Sequence, residues 1–126
     1  MNPENPMGEL KAEPFPPHHH PAIAVFSLGT RQFVLMFGGQ FKSSLSSTLF
    51  AIDLETLYWH AIPFDGPTIR GRMSAAMATV DTRVYIFGGV ADVQYRRGVS
   101  RCATNTYSIA QYNCDNGKWY WLVRDE

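Results

Sequence analysis

The sequence predicts an all-β protein built from two four-stranded antiparallel units, and three observations carry that expectation. Apolar residues make up 45% of the 126-residue chain and charged residues only 17%, which favours packed sheets over a disordered segment. Short apolar runs alternate with turn residues, and no window has helical periodicity. Finally, Phe37-Gly38-Gly39 recurs fifty residues later as Phe87-Gly88-Gly89, each time at the end of an apolar run.

Taken in order, the stretch Met1 to Pro17 is rich in Pro, Glu and Asn and lacks periodicity, so it is expected to be an extended leader or the tail of a preceding unit, with order starting near His20. Strands are then expected at Ala22–Leu28, Gln32–Gly38, Thr48–Asp53, Leu57–Ile62, Ser74–Val80, Arg83–Gly89, Asn105–Asn113 and Lys118–Val123. Gly29-Thr30, Asp81-Thr82 and Asn116-Gly117 separate paired strands. Asn-Gly is the strongest of these hairpin signals because both turn residues need positive φ. Residues 1–19 are thus set apart from a first repeat at 20–72 and a second at 73–126.

Downstream of each double glycine come a third strand, a polar turn and a tryptophan, Trp59 or Trp119. These marks resemble the kelch repeat, whose period is about 50 residues and whose four strands form one blade of a β-propeller. The family places a tyrosine and a tryptophan, with six residues between them, after the double glycine. The second unit has Tyr112 and Trp119 in that relation, whereas the first has Trp59 with Ile52 in the tyrosine's place. The resemblance covers His20 to Glu126. It implies all-β, antiparallel kelch-type blades, two blades of an incomplete propeller. The glycines would allow close backbone approach near the propeller axis, and Trp59 and Trp119 would be core residues between blades.

From Gly39 to Trp59 is twenty residues, but from Gly89 to Trp119 is thirty, which places a long loop at about Val90 to Thr104. A complete propeller needs about 4 to 8 blades. Two would leave both outer faces without partners, so self-association or a larger parent protein is expected. The leader and the end just past a fourth strand favour a truncated form.

Function is expected to be protein binding through the loops between strands two and three and between consecutive units, which emerge together in an antiparallel blade. That face gathers Lys42, Arg70, Arg72, Arg96, Arg97 and Arg101 against Asp65 and Asp92, with Tyr95 beside the arginines. Arg70, Arg72, Tyr95, Arg96, Arg97 and Arg101 are therefore the expected partner-binding residues, suited to an acidic peptide segment. The opposite face mixes Arg31, Arg83 and Lys118 with Asp53, Glu55, Asp81 and Asp115. Overall, 11 basic residues balance 11 acidic ones, so nothing points to nucleic acid or to an anionic membrane.

No catalytic residue, metal site or cofactor is expected. His18-His19-His20 and the run Ser43 to Ser47 suit solvated loops, and Asp53 and Glu55 suit a solvated turn. Some kelch propellers are enzymes, galactose-oxidase-like copper enzymes among them, but the second strands here offer Met36, Phe37, Ile86 and Phe87, which are no set of metal ligands. A piece of such an enzyme and a non-functional truncation product are the alternatives. A strand at Asn105–Asn113 would hold Cys102 and Cys114 about 30 Å apart at ~3.3 Å per residue, so two free thiols and a reducing compartment are expected. No secretory signal or spanning segment is evident, and cytoplasm, or the nucleus, is the expected location.

Overall fold

The computed structural model describes residues 17–94 and 101–124. The strands are β1 (Ala22–Leu28), β2 (Arg31–Phe37), β3 (Gln40–Phe41), β4 (Ser44–Leu45), β5 (Leu49–Asp53), β6 (Trp59–Ala61), β7 (Arg72–Met73), β8 (Ala76–Val80), β9 (Arg83–Phe87), β10 (Val90–Gln94), β11 (Arg101–Asn105), β12 (Ile109–Asn113) and β13 (Lys118–Val123). There is no helix among the described residues. The fold is all-β. It holds two four-stranded antiparallel sheets, β1-β2-β5-β6 and β8-β9-β12-β13, beside a three-stranded β7-β10-β11 sheet and the β3-β4 pair, and none of them closes on itself.

The two larger sheets have matching registers. Val34 pairs with Ile52 and Ile52 with Trp59 in the first, as Val84 pairs with Tyr112 and Tyr112 with Trp119 in the second. The double glycines match as well. Gly38 and Gly88 donate their N–H groups to Thr48 and Ser108, while the carbonyls of Gly39 and Gly89 accept from Ser46 and Thr106. Both pairs have positive φ, and a Cβ on Gly38 would run into the Arg72 carbonyl oxygen, so glycine is required there on two counts.

Period-two alternation sends one set of side chains from each sheet into a shared core. Phe33, Leu35, Phe37 and Ala51 of the first sheet pack with Val84, Ile86, Ala110 and Tyr112 of the second. Phe37 meets Trp119 edge to face at 5.3 Å between centroids, and the Thr79 hydroxyl donates to the Val25 carbonyl at 2.8 Å, tying β8 to β1. Phe87 stands at the position equivalent to Phe37, yet it is exposed, because the second sheet turns the opposite face of the repeat toward the core.

Three expectations need correction. Within the expected loop at Val90 to Thr104, residues 90–94 and 101–104 are instead paired antiparallel, with Val90 opposite Asn105 and Gln94 opposite Arg101, and β10 pairs further with β7; residues 95–100 of that expectation lie outside the described residues. The pairing lengthens the excursion that β3-β4 makes in the first sheet, and the alternation in Val90–Gln94 carries no turn signal to reveal it. The strand expected at Asn105–Asn113 is only Ile109–Asn113, because residues 106–108 break away to hydrogen-bond around the second double glycine. The separation argued for the cysteines therefore lapses, although Cys114 is a free thiol. Asp53 is not a solvated turn residue. It is buried, accepts the backbone N–H groups of Glu55 and Thr56, and is paired with Arg31. Burial raises its pKa, but the Arg31 hydrogen bond and these two N–H groups outweigh that and hold the carboxyl below its ordinary value.

Candidate functional site

The connection after β6 positions the most distinctive surface of the molecule. Ile62 continues the β6 ladder by donating to the Leu49 carbonyl, and Pro63 accepts a 2.6 Å hydrogen bond from the Tyr112 hydroxyl. The Asp65 N–H then reaches the Gly117 carbonyl at the β12-β13 turn. From there residues 67–70 lie along β13 but stand off it, leaving a cleft of about 440 Å³ lined by Pro67, Thr68, Ile69, Arg70, Trp119, Trp121 and Arg124.

The cleft is aromatic on one wall and cationic at its rim. The Arg124 guanidinium lies 5.4 Å from the Trp121 ring centroid, and that of buried Arg72 lies 5.9 Å from the same ring. Arg70 is exposed at the mouth, and none of the described lining residues is acidic. An exposed guanidinium beside a tryptophan-lined wall suits an anionic group carried on an apolar or aromatic chain.

The expected binding residues are dispersed. Arg70 is at the cleft. Arg72 is not available to a partner, since its relative exposure is 0%. Its Nη1 donates to Ser108 Oγ at 2.8 Å and to the Gly88 carbonyl at 3.3 Å, and its Nε donates to the Arg70 carbonyl at 3.1 Å. Its own carbonyl accepts the Gly39 N–H at 2.7 Å. One residue thus joins both double glycines, which corrects its assignment to the binding face. Tyr95, Arg96 and Arg97 lie outside the described residues, and Arg101 is placed only as the β11 backbone partner of Gln94. Asp65, counted on the arginine face from strand order, sits instead at the β12-β13 turn, because the connection crosses the neighbouring sheet before returning.

Trp121 and Arg124 were the residues missed. The Trp-x-Trp alternation across Trp119 and Trp121 was the available signal, since period two puts both rings on one face. Trp119, expected as pure core, is half-buried and divides its surface between the core and the cleft.

His18, His19 and His20 go to separate partners: the His18 ring stacks on Phe41, His19 exchanges backbone hydrogen bonds with Gln40, and the His20 carbonyl accepts from Ser74. Among the described residues, no group of three His, Cys, Asp or Glu side chains is placed to hold a metal ion. Burial, helped by the charge of Asp115, pushes the Cys114 thiol up to about 11, which leaves it protonated and a poor nucleophile at neutral pH. Burial, with a smaller effect from Cys114, raises the Tyr112 phenol to about 12. His60 is buried with neither ring nitrogen hydrogen-bonded among the described residues, and desolvation lowers its pKa to about 4, so it stays neutral at neutral pH. No described helix is long and apolar enough to cross a membrane.

No protein-family model matches this chain. It is similar to the leucine-zipper-like transcriptional regulator 1 homolog of Drosophila melanogaster, with 33% identity over 94 residues that cover 71% of this chain. The chain spans only 9% of that relative's length.

Proposed function

We propose that the chain is part of a kelch-type β-propeller and serves as a protein-interaction module, taking an acidic segment of its partner at the cleft of Arg70, Trp119, Trp121 and Arg124. The propeller reading is supported by the two face-packed sheets with equivalent cross-strand pairs, and by double glycines with equivalent hydrogen bonds. The binding reading rests on one observation above all, a cleft that sets the exposed Arg70 beside Trp119 and Trp121. Arginine and tryptophan are the residue types that dominate binding hot spots, and guanidinium groups match carboxylates in geometry. The relative carries the name of a transcriptional regulator, which favours a regulatory binding role over catalysis.

The test is a peptide array of acidic, neutral and basic sequences probed with the wild-type chain and with an Arg70→Ala, Arg124→Ala double variant. Both substitutions are at exposed positions, so folding should persist. Wild type should enrich peptides that pair Asp or Glu with an apolar residue, and the folded variant should lose about tenfold or more in affinity, as expected for two contacts of ~1 kcal/mol each. Equal retention of acidic peptides by the variant, or no preference for them in wild type, would refute the reading.

A further inference from the structure

The connection that shapes the arginine cleft also builds a second cavity, from the residues before Gly66 and with the opposite charge. It has a volume of about 270 Å³ and lies where residues 63–65 cross the β12-β13 turn, between Pro63, Phe64 and Asp65 on one side and Tyr112, Cys114 and Asp115 on the other. Two hydrogen bonds of 2.6 Å hold those sides together, from the Tyr112 hydroxyl to the Pro63 carbonyl and from the Asp65 N–H to the Gly117 carbonyl. Every wall comes from the two sheets and the connection between them, so the cavity needs no further repeat to complete it.

Its walls are apolar and its rim is acidic. Pro63, half-exposed Phe64 and half-buried Cys114 supply carbon and sulfur surface. The hydrogen-bond donors around the cavity are engaged within the protein: the Tyr112 hydroxyl as described, the N–H groups of Cys114, Asp115 and Gly117 at Thr82 and Asn113, and the Asn116 amide at the Tyr120 hydroxyl. The rim therefore offers a ligand carboxylate oxygens. Asp65 is exposed, Asp115 is exposed and gives one oxygen to the Thr82 hydroxyl, and neither forms an ion pair with a described residue. An apolar cavity with carboxylates at its mouth suits a side chain that lays a carbon stem along the wall and ends in a cationic donor. We infer that this pocket is a second anchoring site, which takes an arginine or lysine side chain of a protein partner, the stem against Phe64 and Cys114 and the charged head at Asp65 and Asp115. An acidic residue, the ligand proposed for the arginine cleft, is repelled here, so the two sites read different residues and the pocket stands whether or not the cleft binds. Asp65 and Arg70 are five residues apart, at most about 18 Å along an extended chain, so a single partner segment reaches both.

The test is a nuclear magnetic resonance titration of the isotope-labelled chain, read at the backbone N–H groups of Asp65, Cys114 and Gly117. The probes are the Nα-acetyl amides of arginine, lysine, norleucine and glutamate. The arginine and lysine probes should shift these resonances saturably with about millimolar affinity, as expected for so few atoms in an open pocket. The norleucine probe, which keeps the stem and lacks the charge, should bind about threefold more weakly or worse, and the glutamate probe should leave the three resonances unmoved. An Asp65→Asn, Asp115→Asn double variant should lose about fivefold in affinity for the arginine probe, and Asp65→Asn alone about twofold. Asparagine at 115 keeps an acceptor for the Thr82 hydroxyl, and the single variant changes only the exposed connection, so the measurement survives any disturbance of the turn. Norleucine binding as tightly as arginine would overturn the inference. So would an absence of shifts with both basic probes, or unchanged arginine affinity in the aspartate variants. The indole N–H resonances of Trp119 and Trp121 report the arginine cleft in the same spectra, so failure of one proposal is seen apart from failure of the other.

Discussion

Replacing Arg72 by methionine separates a structural arginine from a binding one. The side chain has zero exposure and hydrogen-bonds to Ser108 Oγ, the Gly88 carbonyl and the Arg70 carbonyl, among others. A hydrogen bond from a charged donor contributes about 1.5 to 3 kcal/mol, but removing a buried charge also relieves its desolvation cost, and methionine refills most of the volume. Ser108 Oγ keeps the Thr106 hydroxyl as a partner at 2.8 Å, whereas the Gly88 carbonyl loses this donor. The net destabilisation is expected to be about 2 to 4 kcal/mol, which for a chain of this size lowers the melting temperature by roughly 10 °C. Thermal and urea unfolding followed by circular dichroism measure it. Acidic-peptide affinity, corrected for the folded fraction, should stay within about threefold of wild type. If Arg72→Met melts within about 1 °C of wild type yet loses the peptide, the burial argument is wrong and Arg72 reaches the partner.

Two further outcomes follow from the core. Because His60 has a folded pKa of about 4 against 6.5 when unfolded, the unfolded state binds a proton that the native state refuses between those values. Its effect is nil above about pH 6.5, and stability falls by about 3 kcal/mol as the pH drops to 4. His60→Leu should flatten that part of the stability profile in urea titrations at stepped pH, and an unchanged profile would show that the ring is not held neutral. Trp119→Ala should cost about 2 to 3 kcal/mol, less than a fully buried tryptophan, and should also weaken peptide binding, since the ring serves both core and cleft. Loss of stability with peptide affinity intact would remove Trp119 from the cleft.

Much of the architecture was legible in the residues because it rests on local rules. The alternation in Ala22–Leu28 and Lys118–Val123 marked β1 and β13 to the residue, whereas Asn116-Gly117 marked only the place of the β12-β13 turn: residues 114–117 form a four-residue loop closed by the Gly117 N–H on the Asn113 carbonyl, and of the pair only Gly117 has positive φ. The spacing of Gly38-Gly39 and Gly88-Gly89 announced two equivalent units before any contact was known. The short strands β3, β4 and β7 escaped notice because two-residue pairings have no periodicity to detect. Their partners are set by what the rest of the chain brings alongside.

The functional surface divides in the same way. The sequence by itself determined that the protein is all-β and repetitive, and that its charge, neutral in total, is concentrated in arginines near the connections. Only the tertiary structure decided which arginine does what. Arg70 and Arg72 are two residues apart and chemically identical, yet one faces solvent at the cleft and the other is buried between the double glycines. Strand order cannot separate them, because their fates depend on the path of the chain between the sheets. That path draws Asp65 to the β12-β13 turn and lays residues 67–70 along Trp119 and Trp121. The same holds for Phe37 and Phe87, which share a motif and a register but not an environment. Burial belongs to the face a sheet turns toward its neighbour, a property no single repeat encodes.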